Sequence, residues 1–129
     1  MKTTLSLLFL FIAISISAQE LNDQQFHDNG NIKSTVFTVN GIIHTINYHE
    51  NGKMSEESSH ANGSPCGTWK QYDESGILVA QASFINGKRE GAWLFWNKDG
   101  APIGEMIYDN GEMLKGIRWN GSGEMIAKR

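Results

Sequence analysis

"INGKREGAWLFWNKDG", residues 85–100, sets Trp93, Phe95 and Trp96 within four positions, after Asn86-Gly87 and before Asp99-Gly100. Asn-Gly is the strongest short-range hairpin signal, because a type I′ turn demands positive φ at both central residues and these two tolerate it best. The stretch therefore reads as a turn, a strand of bulky residues and a second turn. Side chains alternate along a strand, so Trp93 and Phe95 point to one side and Leu94 and Trp96 to the other. One hairpin thus supplies bulk to both faces of a thin sheet, where stacked aromatics can stand in for a core.

Working outward, the same register recurs. Phe26, Tyr48, Tyr72, Trp96 and Trp119 each precede a glycine by four residues, namely Gly30, Gly52, Gly76, Gly100 and Gly123, at spacings of 22, 24, 24 and 23. A second series, Asn-Gly at 40/41, 62/63, 86/87 and 110/111, follows each opening glycine by eleven residues. Such a period marks a repeat architecture. The seven Asn-Gly pairs predict an up-and-down meander with type I′ turns, Gly87 and Gly111 among the residues at positive φ. Strands are predicted at 32–39, 42–48, 53–60, 66–72, 77–85, 91–96, 102–109, 115–119 and 124–128, and no run beyond residue 18 has helical periodicity.

Alternation separates two faces. Val36, Leu78, Ala80, Ala82, Phe84, Met106 and Tyr108 fall on a drier one, and the aromatics Tyr48, Tyr72, Trp96 and Trp119, with Ile46, Leu94 and Ile117, are assigned to it as well. Trp69 and Trp93 are then expected on the opposite face, about 10 Å apart.

The segment "FINGKREGAWLFWNKDG" resembles the variant form of the MORN (membrane occupation and recognition nexus) repeat through Phe84, Asn86, Gly87, Lys88, Gly91, Trp93, Trp96 and Gly100. The preceding unit matches through Asn62, Gly63, Gly67, Trp69, Tyr72 and Gly76, with His60 where the leading aromatic stands. In the outer units Thr45 and Gly116 occupy the Trp position, and the segment before Tyr48 is two residues shorter. The resemblance covers residues 26–129 as about four units. It implies an all-β, elongated, single-layer antiparallel meander of MORN-type β-hairpin repeats. Proteins of this kind include scaffolds, membrane-associated modules and bacterial chains labelled as antitoxins of toxin-antitoxin systems.

Residues 1–18 join Lys2 to an apolar run and the small residues Ser17-Ala18, which reads as a secretory signal peptide cut before Gln19. The remaining organisation is a short linker, 19–25, and the repeat domain, 26–129, in a periplasmic or secreted protein. Taking Lys2 from the 11 Lys+Arg leaves 10 against 14 Asp+Glu, a net charge of −4. That balance speaks against nucleic acid and against strong binding to anionic lipid, which both reward dense Lys and Arg. Cys66, the one cysteine, reads as a small turn residue beside Pro65.

Chemistry is not evident. His27 and His49 hold the same turn slot in successive repeats, and His44 and His60 have no ligand-type neighbour at a useful spacing, so neither metal nor cofactor is expected. Glu56 and Glu57 are adjacent on a strand and face opposite ways, which excludes a shared-proton pair. Ser58, Ser59 and His60 lack a nucleophile-elbow context. The reading is a non-catalytic protein-binding module or, alternatively, an antitoxin- or immunity-like protein. Trp69, Trp93, Phe95, Tyr72, Trp96 and Tyr108 are the candidate contact residues, and Gly30, Gly52, Gly76, Gly87, Gly100 and Gly111 the structural turns. A single layer about 40 Å wide, at about 4.8 Å per strand, leaves an apolar face for another protein or for weak self-association. Lys128 and Arg129 discourage pairing at the edge.

Overall fold

The computed structural model describes residues 20–129, and each regular element in them is a strand. The signal-peptide reading lies outside the described residues. The strands are β1 (Glu20–Phe26), β2 (Ile32–Val39), β3 (Ile42–Tyr48), β4 (Met54–Ala61), β5 (Ser64–Pro65), β6 (Gly67–Tyr72), β7 (Leu78–Ile85), β8 (Lys88–Arg89), β9 (Gly91–Trp96), β10 (Pro102–Asp109), β11 (Glu112–Trp119) and β12 (Met125–Lys128). They form one open antiparallel meander in chain order, with the short β5 and β8 pairing back onto β4 and β7. This is the elongated antiparallel meander that the glycine period predicts.

The first departure is at the N-terminal end. Residues 20–25, expected to belong to the linker 19–25, form β1 together with Phe26 and pair with β2 from Glu20↔Thr38 to Phe26↔Ile32. The segment carries no apolar alternation, and its partner strand supplies the order.

Turns fall into two classes. Asn40, Asn62, Asn86 and Asn110 have φ of 49–52° and are each followed by a glycine at positive φ, so four Asn-Gly pairs make type I′ turns. Asn29-Gly30, Asn51-Gly52 and Asn120-Gly121 do not. They sit in five-residue loops where the glycine four residues after the opening aromatic donates its N–H back three residues, as Gly30 does to His27 at 2.9 Å and Gly123 to Asn120 at 3.0 Å. Asn-Gly thus serves two geometries, distinguished by its offset from the aromatic.

Face assignment also differs. Opposed residues have numbers of odd sum across a two-residue turn, and equally across a five-residue loop once the register shift beside the opening aromatic is passed. An even residue therefore shares its face with an odd one on the next strand. Val36 opposes Thr45, Trp69 opposes Ala82, and Trp93 opposes Met106. Trp69 and Trp93 therefore stand on the face of Ala82, Phe84 and Tyr108. Tyr48, Tyr72 and Trp96 stand on the other face, with Ile46 and Leu94, which oppose Glu57 and Gln81. One extra residue in β11, Leu114, opposite the Ile107–Tyr108 step of β10, shifts this parity and keeps Ile117 and Trp119 with them.

Burial is shallow, as a single layer requires. Among the described residues Tyr108 (6 % exposed), Ser58 (7 %) and Ile117 (9 %) are the buried ones, and no large side chain is fully enclosed. Stability must come from the ladders and from side chains lying flat along the sheet.

Candidate functional site

The aromatic face is built around a bulge. Between the pairs His60↔Pro65 and Glu57↔Lys70 the β5–β6 side carries two residues more than β4, and between Phe84↔Arg89 and Gln81↔Leu94 the β8–β9 side does the same against β7. Gly67 (φ 68°) and Gly91 (φ 70°) take the left-handed conformation that this detour needs. Two residues later the tryptophan closes the gap. Trp69 Nε1 donates to the carbonyl of Ser59 at 3.1 Å, alongside the backbone N–H of Cys66 at 3.0 Å. Trp93 Nε1 donates to Ser83 at 3.1 Å, alongside Glu90 N–H at 3.0 Å. Cys66 is accordingly part of the bulge, free and half-buried.

Each indole, pinned in this way, touches the next unit. His60, Trp69, Phe84, Trp93 and Tyr108 run across five strands as one ladder, with successive ring centroids 5.2, 4.9, 5.2 and 5.2 Å apart. The rings are tilted or edge-on, the arrangement favoured by their quadrupoles. Arg89 closes one end of the ladder, its guanidinium carbon 5.3 Å from the Trp93 ring and 5.4 Å from that of Tyr108. Of the six candidate contact residues, Trp69, Trp93, Phe95 and Tyr108 share this face, whereas Tyr72 and Trp96 lie on the other. Tyr72 donates its hydroxyl to Glu57 Oε2 at 2.8 Å there. Burial first, and then the Glu57 carboxylate as acceptor and as neighbouring negative charge, push its phenol up to about 12.

Beside the ladder the small residues Ala80, Ala82, Gly104 and Gly116 leave the sheet surface low. Two troughs result. One, of about 270 Å³, lies between Trp69, Trp93 and Phe95 over Ala80 and Ala82. The other, of about 900 Å³, runs over Gly104 and Gly116 and is bordered by Phe95, Met106, Met113, Arg118 and Ala127. Phe95 belongs to both, its ring against Gly104, where a Cβ would meet Phe95 Cδ2 at 3.4 Å. The larger trough is the feature that sequence reasoning missed. It depends on Gly104 and Gly116 adjoining across β10 and β11, and the glycine at the Trp position of the last unit was its signal.

The opposite face holds the arrangement nearest to catalytic machinery. Ser59 Oγ and His44 Nδ1 are 3.0 Å apart, joined by the β3–β4 register, and Phe37 stacks on the imidazole at 5.2 Å. No carboxylate hydrogen-bonds to His44 among the described residues, so the imidazole has no acidic partner to orient it as general base. Nor does any group of three His, Cys, Asp or Glu in them suit a metal ion. His27 and His49 are tied to the neighbouring repeat, each holding through Nε2 the carbonyl of Tyr48 or Tyr72 at 2.9 Å. The described residues form an all-β repeat module.

Comparison with known families agrees with this construction. Residues 44–62 and 65–86 match the MORN repeat variant. The match takes in the unit of Tyr48 and the unit of Trp69 and Tyr72, and the bulge and indole bond of the second recur around Trp93. No curated protein matches the chain.

Proposed function

We propose that this chain is a protein-binding scaffold module whose ladder face receives another polypeptide. The observation that carries the reading is the open apolar strip from Trp69 to Ala127, with no second layer to cover it among the described residues. Side chains inserted there would gain apolar burial against a floor already held by the ladders. Gly116→Leu tests it. A Cβ at Gly116 meets Met113, Arg129 and Met106 at 3.6–3.9 Å, ordinary van der Waals contact, and the rest of the leucine side chain would occupy the trough. A partner recovered with the wild-type chain should be lost with Gly116→Leu and kept with Thr68→Leu on the opposite face. Equal recovery with both variants would remove the ladder face as the binding site. A second copy of the chain is an alternative occupant, and sedimentation at rising concentration distinguishes it.

We propose further that residues 1–18 act as a secretory signal, so that the module works outside the cytoplasm with a mature chain starting at Gln19. Mass spectrometry of the native protein tests that, and an intact Met1 would refute it. An antitoxin- or immunity-like role is the special case in which the bound polypeptide is a toxin. A toxin-like reading frame adjoining the gene would single it out.

A further inference from the structure

The larger trough is basic in a chain of net charge −3. On the ladder face Arg118 opposes Gly104 in register, and the Cβ of Arg129 lies 3.9 Å from where a Cβ at Gly116 would be. Both arginines are exposed, and neither has a carboxylate within 4 Å among the described residues. The one acidic residue bordering the trough, Glu105, turns to the opposite face, where its carboxylate meets Lys115 at 3.6 Å. Glu124 is held by Asn120 Nδ2 at 3.0 Å in the preceding turn, and Glu90 by the backbone N–H of Asn110 at 2.7 Å. An apolar floor is thus flanked by guanidinium groups whose fork geometry matches carboxylates.

We propose that the occupant of this trough is an extended acidic peptide segment of a partner protein, one apolar side chain entering over Gly104 and Gly116 and flanking carboxylates meeting Arg118 and Arg129. The proposal rests on the protein-binding reading and adds the chemistry of the partner. The charge contrast accounts for selectivity: a basic segment would be repelled by the two arginines, and a polar acidic one would leave the floor in water.

The test uses the full chain and three labelled synthetic peptides of equal length, alternating Leu-Glu, Leu-Lys and Ser-Glu. Fluorescence anisotropy should show Leu-Glu binding at least tenfold tighter than the other two and weakening as salt rises. Arg118→Glu with Arg129→Glu should lower Leu-Glu affinity at least tenfold and raise that for Leu-Lys, a reversal that loss of folding cannot produce. Gly116→Leu should weaken Leu-Glu binding with the charges intact. Equal affinity for Leu-Glu and Leu-Lys, or no reversal in the double variant, would overturn the acidic partner. So would binding to phosphatidylserine vesicles without any to Leu-Glu. If those results came with a natural partner still lost in Gly116→Leu, the protein-binding reading would stand and the acidic specificity alone would fall.

Discussion

The indole of Trp93 donates to the carbonyl oxygen of Ser83, ten residues back in the chain and on the neighbouring strand, at 3.1 Å. This one bond explains the Gly-x-Trp spacing. Gly91 at φ 70° bends the strand away from β7, and Trp93 spans the gap with its side chain while its ring packs between Phe84 and Tyr108. The tryptophan is a piece of the ladder as much as a piece of the surface.

The two roles separate by substitution. Trp93→Phe keeps a ring in the stack and loses the donor, while Ser83 O keeps the N–H of Glu90, so the expected cost is about 1 kcal/mol. Trp93→Ala loses both, at about 3 kcal/mol, the lower end for a large aromatic because the site is half-buried. Urea melts should rank them in that order. Equal losses would mean that the hydrogen bond carries the whole effect.

Gly87 combines a conformational demand with close packing. It lies at φ 77°, and a Cβ there would approach Ser64 Cβ at 3.2 Å, whereas one at Gly41 (φ 78°) meets nothing within 4 Å. Gly41→Val therefore reports the backbone cost alone, on the order of 1–3 kcal/mol, and Gly87→Val should cost more by the displacement of Ser64. Thermal melts measure the difference, and a smaller loss at Gly87 would be inconsistent with the docking of its turn on β5.

Much of this was legible in the sequence, and what was not has a definite cause. The intervals from turn glycine to opening aromatic are seven residues for Gly41 to Tyr48, nine for Gly63 to Tyr72 and Gly87 to Trp96, and eight for Gly111 to Trp119. The structure gives them a straight ladder, two two-residue bulges and a single bulge, respectively. Strand positions followed directly from such spacings, and 32–39, 42–48, 91–96 and 102–109 coincide with the observed elements. The faces did not follow, because alternation within a strand says nothing about the next until the parity of the turn is counted. Trp69 and Trp93 were placed opposite Phe84 for that reason. The larger trough was hidden for another, since it consists of missing side chains on two strands whose register a bulge resets.

Along the rim of the five-residue turns, His49 joins consecutive repeats through the Tyr72 carbonyl, whereas Asp73, in the equivalent slot, caps its own turn by accepting from Ser75 and Ile77 N–H at 2.9 Å. The two residues thus satisfy the rim by different routes. His49→Ala should cost about 1 kcal/mol by removing one hydrogen bond. His49→Asp should recover most of that loss by adopting the self-capping form. Chemical denaturation compares the pair. An aspartate variant as unstable as the alanine one would show that the inter-repeat bond cannot be replaced locally.

Tyr72 connects the fold to pH. Its phenol, pushed up to about 12 by burial first and then by Glu57, holds its proton more tightly in the folded chain than in the unfolded one, where a tyrosine titrates near its ordinary 10. A raised folded value contributes stability that is fully present below about pH 10 and is lost as pH climbs through about 12, because the unfolded chain releases the proton first. Stability measured between pH 9 and 12 should therefore fall more steeply for the wild type than for Tyr72→Phe, which has no proton to release at that position. Below pH 9 the two should differ by a constant amount, the worth of the hydroxyl bond to Glu57. Phenolate absorbance followed in folded protein should show one tyrosine titrating late in the wild type and absent from the variant. Parallel stability curves across the whole range would show that Glu57 and the surrounding sheet leave the phenol as free as it is in water.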